Sequence, residues 1–141
     1  MIIKQLSVFL ENKSGRLTEV TETLASAGIN LSAFCVADTA EYGILRFITN
    51  KPEEAMKVLK DKGFSVHLTE VIGLIVPNES GGLHKALKIL SAEGISLEYM
   101  YAFALGDRAT VIIRTDSASQ AIAVLQQHKM DLLRASDIYD I

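Results

Sequence analysis

The residues of this chain that are best suited to binding chemistry lie in a short motif, N-x-S-G-x-L, at 12–17 and again at 78–83. The glycine allows the sharp turn that takes a strand into a helix. That helix presents unpaired N–H groups and a partial positive charge, which favour a carboxylate. The asparagine side chain can accept a hydrogen bond from an ammonium group and can also donate one. The motif therefore offers groups for both ends of an α-amino acid.

The asparagine also has a purely structural interpretation. Asparagine before a glycine-containing turn commonly holds the turn by bonding to its own backbone, and this is the more frequent use. From spacing alone, both roles stay open for Asn12 and Asn78.

The two motifs belong to an internal repeat, because shifting the chain by 66 residues aligns it on itself without a gap. GINL at 28–31 falls on GISL at 94–97, and TN at 49–50 falls on TD at 115–116. The identical pairs are mostly turn glycines and apolar positions; they include Gly15/Gly81, Leu24/Leu90, Gly28/Gly94, Ile29/Ile95 and Val58/Val124. A repeat of this length indicates a duplicated structural unit, so we expect both halves to share one backbone.

Hydrophobic periodicity gives each half the order strand, helix, strand, strand, helix, strand. Leu6, Val8 and Leu10 alternate with their neighbours as in a strand. Apolar residues between 17 and 27 then recur at three- and four-residue steps, as in an amphipathic helix. The first half also has predicted strands near 31–35, 44–49 and 64–68 and a helix at 51–62. The second half has predicted strands near 71–77, 96–104, 109–115 and 130–136 and helices near 82–92 and 117–128.

This order predicts an α+β fold of two ferredoxin-like βαββαβ units, each an antiparallel sheet with helices on one face. The predicted domain limits are 1–70 and 71–141, with almost no linker. Units this small bury little surface, so we expect them to pack together. Edge strands need protection, so a homodimer through the sheet edges is also expected.

The composition excludes several function classes. Apolar residues make up 49% and charged residues 22%, as in a soluble globular protein. No apolar run approaches the roughly 20 residues that span a bilayer, so no membrane partner is expected. The net charge of −3 is spread evenly, which leaves no basic patch for nucleic acid. With no leader-like N-terminus and one cysteine, the cytoplasm is the expected location.

The stretch LENKSGRLTEVTETLASAGINLSAF resembles the signature of the ACT domain, a small module that senses amino acids. The shared pattern is a strand, Asn-x-Pro-Gly-x-Leu, a helix, and Gly-hydrophobic-Asn-hydrophobic opening the second strand. The loop is most similar to that of the serine-sensing regulatory domain of phosphoglycerate dehydrogenase, and the likeness covers the chain once per unit. The resemblance implies that two asparagines contact an effector amino acid; here they are Asn12 and Asn30.

The candidate ligand-binding residues are those of the two loops and of the segments that open the second strand of each unit. They are Asn12, Lys13, Ser14, Gly15, Arg16, Leu17, Ile29, Asn30, Leu31, Asn78, Glu79, Ser80, Gly81, Gly82, Leu83, Ile95 and Ser96. Serine replaces the family's proline in both loops, and Leu10 stands where the family has a contacting polar residue. The second unit has Gly82 for Arg16 and Ser96 for Asn30, so the two sites are not expected to be equivalent.

Other reactive residue types have ordinary interpretations. The three histidines have no second ligand at suitable spacing, so neither a metal nor a cofactor is expected. Cys35 has no nearby base and is expected to be a small core residue. Tyr99, Tyr101 and Phe103 share one strand face, but the basic-aromatic motif of RNA-binding sheets is missing. We expect these rings to pack in the core or between units.

The sequence predicts an amino-acid-binding regulatory protein, not an enzyme, with its ligand at the loops where one unit meets another. It would report to a separate metabolic enzyme. One alternative is an interaction or dimerisation module that docks on such an enzyme with empty loops. Another is an acylphosphatase-like enzyme, for which Arg16 and Asn30 are an incomplete set.

Overall fold

The computed structural model describes residues 1–11, 13–38 and 41–139. The elements in chain order are β1 (Ile2–Glu11), α1 (Arg16–Ser26), β2 (Ala33–Asp38), β3 (Tyr42–Ile48), α2 (Pro52–Asp61), β4 (Ser65–Pro77), α3 (Gly82–Ala92), β5 (Leu97–Leu105), β6 (Arg108–Thr115), α4 (Ala118–Gln127), β7 (Asp131–Leu133) and α5 (Ala135–Tyr139). The strands form antiparallel pairs, and the predicted α+β class of two βαββαβ units is confirmed.

The chain divides into two compact units. The N-terminal unit comprises Lys4–Thr69 and the described residues from Ser136 onward. The C-terminal unit comprises Met1–Ile3 and Glu70–Ala135. The limits 1–70 and 71–141 as separate domains stay a prediction.

The N-terminal unit has the strand order β2–β3–β1–β4. One face of this sheet packs against α1 and α2 and forms the core. As predicted, Leu6, Val8 and Leu10 face that core. Val20 and Leu24 of α1 meet them from the helix layer. Each fully buried side chain of this size contributes about 1.5–3 kcal/mol through removal from water.

The C-terminal unit repeats this arrangement with the strand order β7–β4–β6–β5. Its core comprises Ile72, Leu74, Val76, Ala86, Leu90, Ile95, Val111, Ile113, Ala121, Val124 and Leu125. All but Val124 lie 66 residues after a buried core residue of the N-terminal unit. Val124 follows the partly buried Val58 by the same interval. The duplication seen in the sequence is therefore a duplication of the core.

The starts of α2 and α4 show the same correspondence in hydrogen bonding. Thr49 Oγ1 accepts a bond from the N–H of Lys51 at 3.3 Å, and Thr115 Oγ1 accepts one from the N–H of Ser117 at 3.2 Å. Lys51 and Ser117 are the N-caps, and neither makes a side-chain cap bond. The hydroxyls of two buried threonines therefore hold the starts of the two corresponding helices.

The end of the chain differs from the sequence-based expectation. A strand is predicted at 130–136, but β7 ends at Leu133 and α5 follows it. Ile138 is fully buried, and the hydroxyl of Tyr139 accepts a 3.1 Å bond from the N–H of Lys4. These tertiary contacts fix a helix of five residues that is too short for its periodicity to be visible.

The aromatic strand β5 also departs from expectation. Phe103 is 47% exposed, so the first of its two expected positions, the core, is wrong, while packing between units stays a prediction. A bulge between Leu97 and Tyr99 changes the register, and Tyr101 then pairs with Ile112. The neighbours of Ile112 on β6 face the core, so the aromatic residues after the bulge lie on the sheet face away from the helices.

Lys129 has a φ of 57°, in the left-handed region, at the position where the N-terminal unit has Gly63 with a φ of 86°. We predict that Lys129→Gly stabilises the chain by about 0.5–1 kcal/mol, because relief of the left-handed strain exceeds the entropy cost of glycine. The matched variant Gly63→Ala should destabilise it by about 1–2 kcal/mol. Urea unfolding of both variants measures this, and a destabilised Lys129→Gly variant would contradict the prediction.

Candidate functional site

The predicted loop of the N-terminal unit joins β1 to α1 through a tight turn. Gly15 has a φ of 90° and is the N-cap of α1. The N–H of Lys13 donates to Glu11 O at 2.7 Å, and the N–H of Arg16 donates to Lys13 O at 3.3 Å. Helix geometry leaves further first-turn N–H groups without intrahelical acceptors. Asn12 lies outside the described residues.

Two ion pairs neutralise the charges around this turn. Lys13 Nζ lies 3.0 Å from Glu11 Oε2, and Arg16 Nη1 lies 2.9 Å from Glu19 Oε2. The Arg16 guanidinium also lies over the Phe64 ring, 4.9 Å from its centroid. The hydrogen bond from Lys13, its charge and that of Arg16 lower the pKa of the Glu11 carboxyl. Glu11 is therefore an anion at neutral pH.

An open pocket of about 240 Å³ lies beside this turn. It is lined by Leu10, Glu11, Lys13, Arg16, Leu17, Val36 and Gly43. Leu17 and Val36 are 41% and 50% exposed and give the pocket an apolar wall. The volume is below the roughly 300–1,000 Å³ of drug-sized sites, and so suits a molecule of amino-acid size.

The second group of candidate residues in this unit lies far from the pocket. Glu11 pairs with Tyr42 at one end of β3, whereas Ala33 pairs with Ile48 at the other end. Asn30 precedes Ala33 and is exposed at this far end, about 16 Å away by the length of the 11-residue α1. Its neighbours, Ile29 and Leu31, pack in or against the core. A single unit therefore does not bring Asn30 to the loop.

The corresponding loop of the C-terminal unit is bonded to a neighbouring hairpin. Asn78 Nδ2 donates to Gly106 O at 2.9 Å, and the N–H of Asn78 donates to Asp107 O at 2.8 Å. Asn78 thus has a structural role, although it holds the β5–β6 hairpin and not its own turn. The other loop residues, Glu79, Ser80 and Gly81, are exposed, and Ser96 lies at the opposite end of the unit.

Gly82 differs from its counterpart Arg16 for a steric reason. A Cβ atom at Gly82 would lie 2.2 Å from Pro77 O, a backbone atom that cannot move aside cheaply. The α3 start therefore packs against the end of β4 more closely than any side-chain-bearing residue permits. Leu83, the next residue, is 37% exposed, much like Leu17 in the other unit.

A larger groove of about 540 Å³ lies between α1 and α2. Its lining includes the carboxylates Glu19, Glu22 and Asp61 and the ring of Phe64, but no residue of the loop motif. Sequence reasoning did not identify it, because its residues come from two helices and the turns after them, and no sequence pattern shows that these two helices lie side by side.

Other reactive groups do not form a second site in the part of the chain that the structure describes. Among these residues, no group of three His, Cys, Asp or Glu side chains could hold a metal ion. Cys35 is half-buried, less enclosed than the predicted core position, and burial raises the pKa of its thiol. That shift disfavours the nucleophilic thiolate at neutral pH. No helix in the described ranges is long and apolar enough to cross a bilayer.

The close packing at Gly82 gives a stability prediction. Gly82→Ala should destabilise the chain by about 1–3 kcal/mol, because the added methyl group overlaps the Pro77 carbonyl. Ser80→Ala, in the same loop and exposed, is the control and should stay within about 0.5 kcal/mol of the wild type. Chemical denaturation compares them, and equal stability of the two variants would contradict the packing argument.

The Glu11–Lys13 pair gives a titration prediction. Lys13→Met should raise the pKa of Glu11, because the variant removes both the hydrogen bond and the charge that lower it. Since that pKa is lowered in the folded chain, the pair's contribution to stability is present above the ordinary carboxyl pKa and is lost as the pH falls through the lowered value. Carbon-detected NMR titration of the Glu11 carboxyl tests this, with Lys4→Met as the control. An unchanged Glu11 pKa in Lys13→Met would show that the pair does not persist in solution.

Several solved structures resemble this chain. The protein BT0572 from Bacteroides thetaiotaomicron is 55% identical, with 100% of this chain and 98% of that chain covered and a TM-score of 0.95. The ligand-free regulatory subunit of aspartate kinase from Thermus thermophilus is 17% identical, with 89% and 91% covered and a TM-score of 0.66. The corresponding subunit from Thermus flavus is 15% identical, with 90% and 94% covered and a TM-score of 0.60. At such low identity, the two kinase subunits show a common fold alone.

No curated protein matches the sequence. A family model described as an ACT domain pair matches residues 1–141, the whole length of the chain. That match agrees with the two βαββαβ units, their shared core and the strand-to-helix loop that each contains. The chain therefore belongs to the ACT domain pair family.

Proposed function

We propose that this chain is a non-enzymatic regulatory protein that binds a free amino acid at the β1–α1 loop. The observation that carries the proposal is the pocket of about 240 Å³ beside that loop. It combines an apolar wall with an anion, a cation and a helix N-terminus, which are the groups that a zwitterion requires. Membership of the ACT domain pair family supports the same conclusion, since ACT domains commonly bind small amino-acid ligands.

The ligand's two charged ends match groups on opposite sides of the pocket mouth. Its carboxylate lies against the first-turn N–H groups of α1 and the ammonium of Lys13. Its ammonium replaces Lys13 as the partner of the Glu11 carboxylate. Because this ion pair is exposed, it contributes little to stability, and a zwitterion can replace it readily.

The roles that the family resemblance gives to Asn12 and Asn30 require more than one unit. Within a unit, Asn30 lies at the far end of the sheet from the loop. We therefore propose that the N-terminal unit of a second chain supplies the Asn30 segment, because the C-terminal unit has Ser96 at that position. A homodimer through the sheet edges would provide this second chain. The edge strands β2 and β5 carry exposed apolar residues, among them Phe34 and Leu105, that a partner strand would cover.

Regulation follows if ligand binding favours one packing of the units over another. A ligand shifts such an equilibrium only by its different affinity for the two arrangements. The similar subunits from the two Thermus species are named as regulatory subunits of an enzyme. We propose that this chain likewise reports to a separate metabolic enzyme, in the cytoplasm.

The exposed edge residues also favour a second candidate function. Phe34 is 62% and Leu105 81% exposed, each on the outermost strand of its unit. A protein that only dimerises or docks on an enzyme would use these edges and leave the loops empty. Purification from native lysate separates the two functions: an enzyme partner whose activity ignores amino acids favours docking alone.

Calorimetric titration of the full chain with the twenty amino acids tests ligand binding. At least one should bind with a dissociation constant below millimolar. Asn12→Ala and Lys13→Ala should each weaken that binding by about tenfold or more, as loss of a charge-assisted bond does. The matched control is Glu79→Ala, at the position corresponding to Lys13 in the other unit, and it should bind as the wild type does.

If none of the twenty amino acids binds, the proposal is wrong. Loop variants with wild-type affinity would also contradict it, because the ligand would then lie elsewhere. Circular dichroism of each variant confirms that a lost affinity is not a lost fold.

A further inference from the structure

We infer that each chain has one amino-acid pocket, in the N-terminal unit, and that this pocket accepts a compact aliphatic side chain. The corresponding loop of the C-terminal unit binds no ligand and has a structural role. We call it the clasp, because Asn78 bonds it to the β5–β6 hairpin. This inference rests on the proposed function and specifies its stoichiometry and ligand class.

The repeat shows where the two units have diverged. Advancing each of the seven pocket-lining positions by 66 gives the pairs Leu10/Val76, Glu11/Pro77, Lys13/Glu79, Arg16/Gly82, Leu17/Leu83, Val36/Ala102 and Gly43/Ala109. Only the Leu17/Leu83 pair is identical. The positions that build the core are apolar in both units, so the fold is retained while the pocket lining is replaced.

The replacements remove the anion, the cation and the shape of the apolar wall that the proposed pocket uses, and they retain Leu83 and the N-terminus of α3. A cavity of about 300 Å³ lies at the end of β4, but no residue of 78–83 lines it; its lining is Ile75, Val76, Pro77, Asp107, Arg108 and Asp131. Pro77 has no carboxylate to pair with a ligand ammonium. Glu79 reverses the charge of Lys13 and would repel a ligand carboxylate. Ala102 shortens the apolar wall, and Ala109 places a methyl group where Gly43 leaves space.

The C-terminal loop also uses its own polar groups internally. The backbone and side-chain N–H groups of Asn78 both donate to the β5–β6 hairpin, to Asp107 O and Gly106 O. A ligand that took these donors would have to break both bonds. The clasp is reinforced at Gly82, where the backbone of Pro77 leaves no room for a side chain.

The lining of the N-terminal pocket indicates the ligand side chain. Its two cations are already paired, Lys13 with Glu11 and Arg16 with Glu19, so no unbalanced charge remains for a charged ligand side chain. The remaining wall is apolar and substantially exposed at Leu17 and Val36. An aliphatic side chain gains from covering this surface, because its burial removes apolar area of both molecules from water.

Gly43 is the position that tests this subsite most directly. Among the described residues, a Cβ atom there would have its nearest contacts with Ala37 O at 3.8 Å and Leu10 Cβ at 4.0 Å, both ordinary van der Waals distances. Gly43→Ala is therefore compatible with the fold and places one methyl group in the pocket. Ala109→Gly makes the reverse change at the corresponding position of the C-terminal unit.

The experiment is calorimetric titration of the full chain with valine, leucine and isoleucine, and with serine, aspartate, lysine and phenylalanine. The expected result is one site per chain with an aliphatic amino acid bound most tightly. Gly43→Ala should weaken the binding of that amino acid by about tenfold or more without lowering the melting temperature. Ala109→Gly should leave both stoichiometry and affinity unchanged.

Two sites per chain, tighter binding of a polar, charged or aromatic amino acid, or a Gly43→Ala variant with wild-type affinity would each overturn the inference. In those cases saturable binding that Lys13→Ala weakens still supports the proposed function. If no amino acid binds at all, both the inference and the proposed function fail.

Discussion

At the end of β1, Gly15 takes a φ of 90° and the chain reverses into α1; at the end of β4, Gly81 does the same before α3. This left-handed turn determines which side of the sheet the helix covers, and so where Val20 and Leu24 meet the strands. It also leaves first-turn N–H groups of the helix, beyond the first one, without an intrahelical acceptor. One backbone conformation thus completes the core and creates the binding capacity of the loop.

The two units share a fold but differ in the surroundings of this turn. In the N-terminal unit the turn opens beside a pocket, with exposed ion pairs that a ligand can replace. In the C-terminal unit the same turn is bonded to the β5–β6 hairpin through Asn78, and Gly82 packs on Pro77. The asparagine and both glycines serve the fold there. On the proposed function, the shared motif N-x-S-G-x-L would thus bind a ligand in one unit and only hold the hairpin in the other.

The sequence was sufficient for the fold because its evidence was redundant: a 66-residue repeat, two periodicities and turn glycines all supported one element order. The sequence was insufficient wherever the local structure depends on contacts between residues that are distant along the chain. The α5 helix depends on the burial of Ile138, and the aromatic face of β5 depends on a bulge after Leu97. The separation of Asn30 from the loop was missed because a sequence motif does not show how far apart its residues lie in space. The strand register in the structure shows that distance. The role of Asn12 stays a prediction.

The construction of the pocket bears on how a bound ligand could act. Its lining comes from the end of β1, the β1–α1 turn, the start of α1, the edge strand β2 and the start of β3, so one small molecule there would contact five segments. Val36 belongs to the edge strand, and its exposed surface serves either a ligand or a neighbouring strand. A ligand that covers Val36 thereby changes the surface which that edge presents to another subunit. On the proposed function, such a shared residue would give the ligand different affinities for free and paired edges, which is the requirement for a regulatory response.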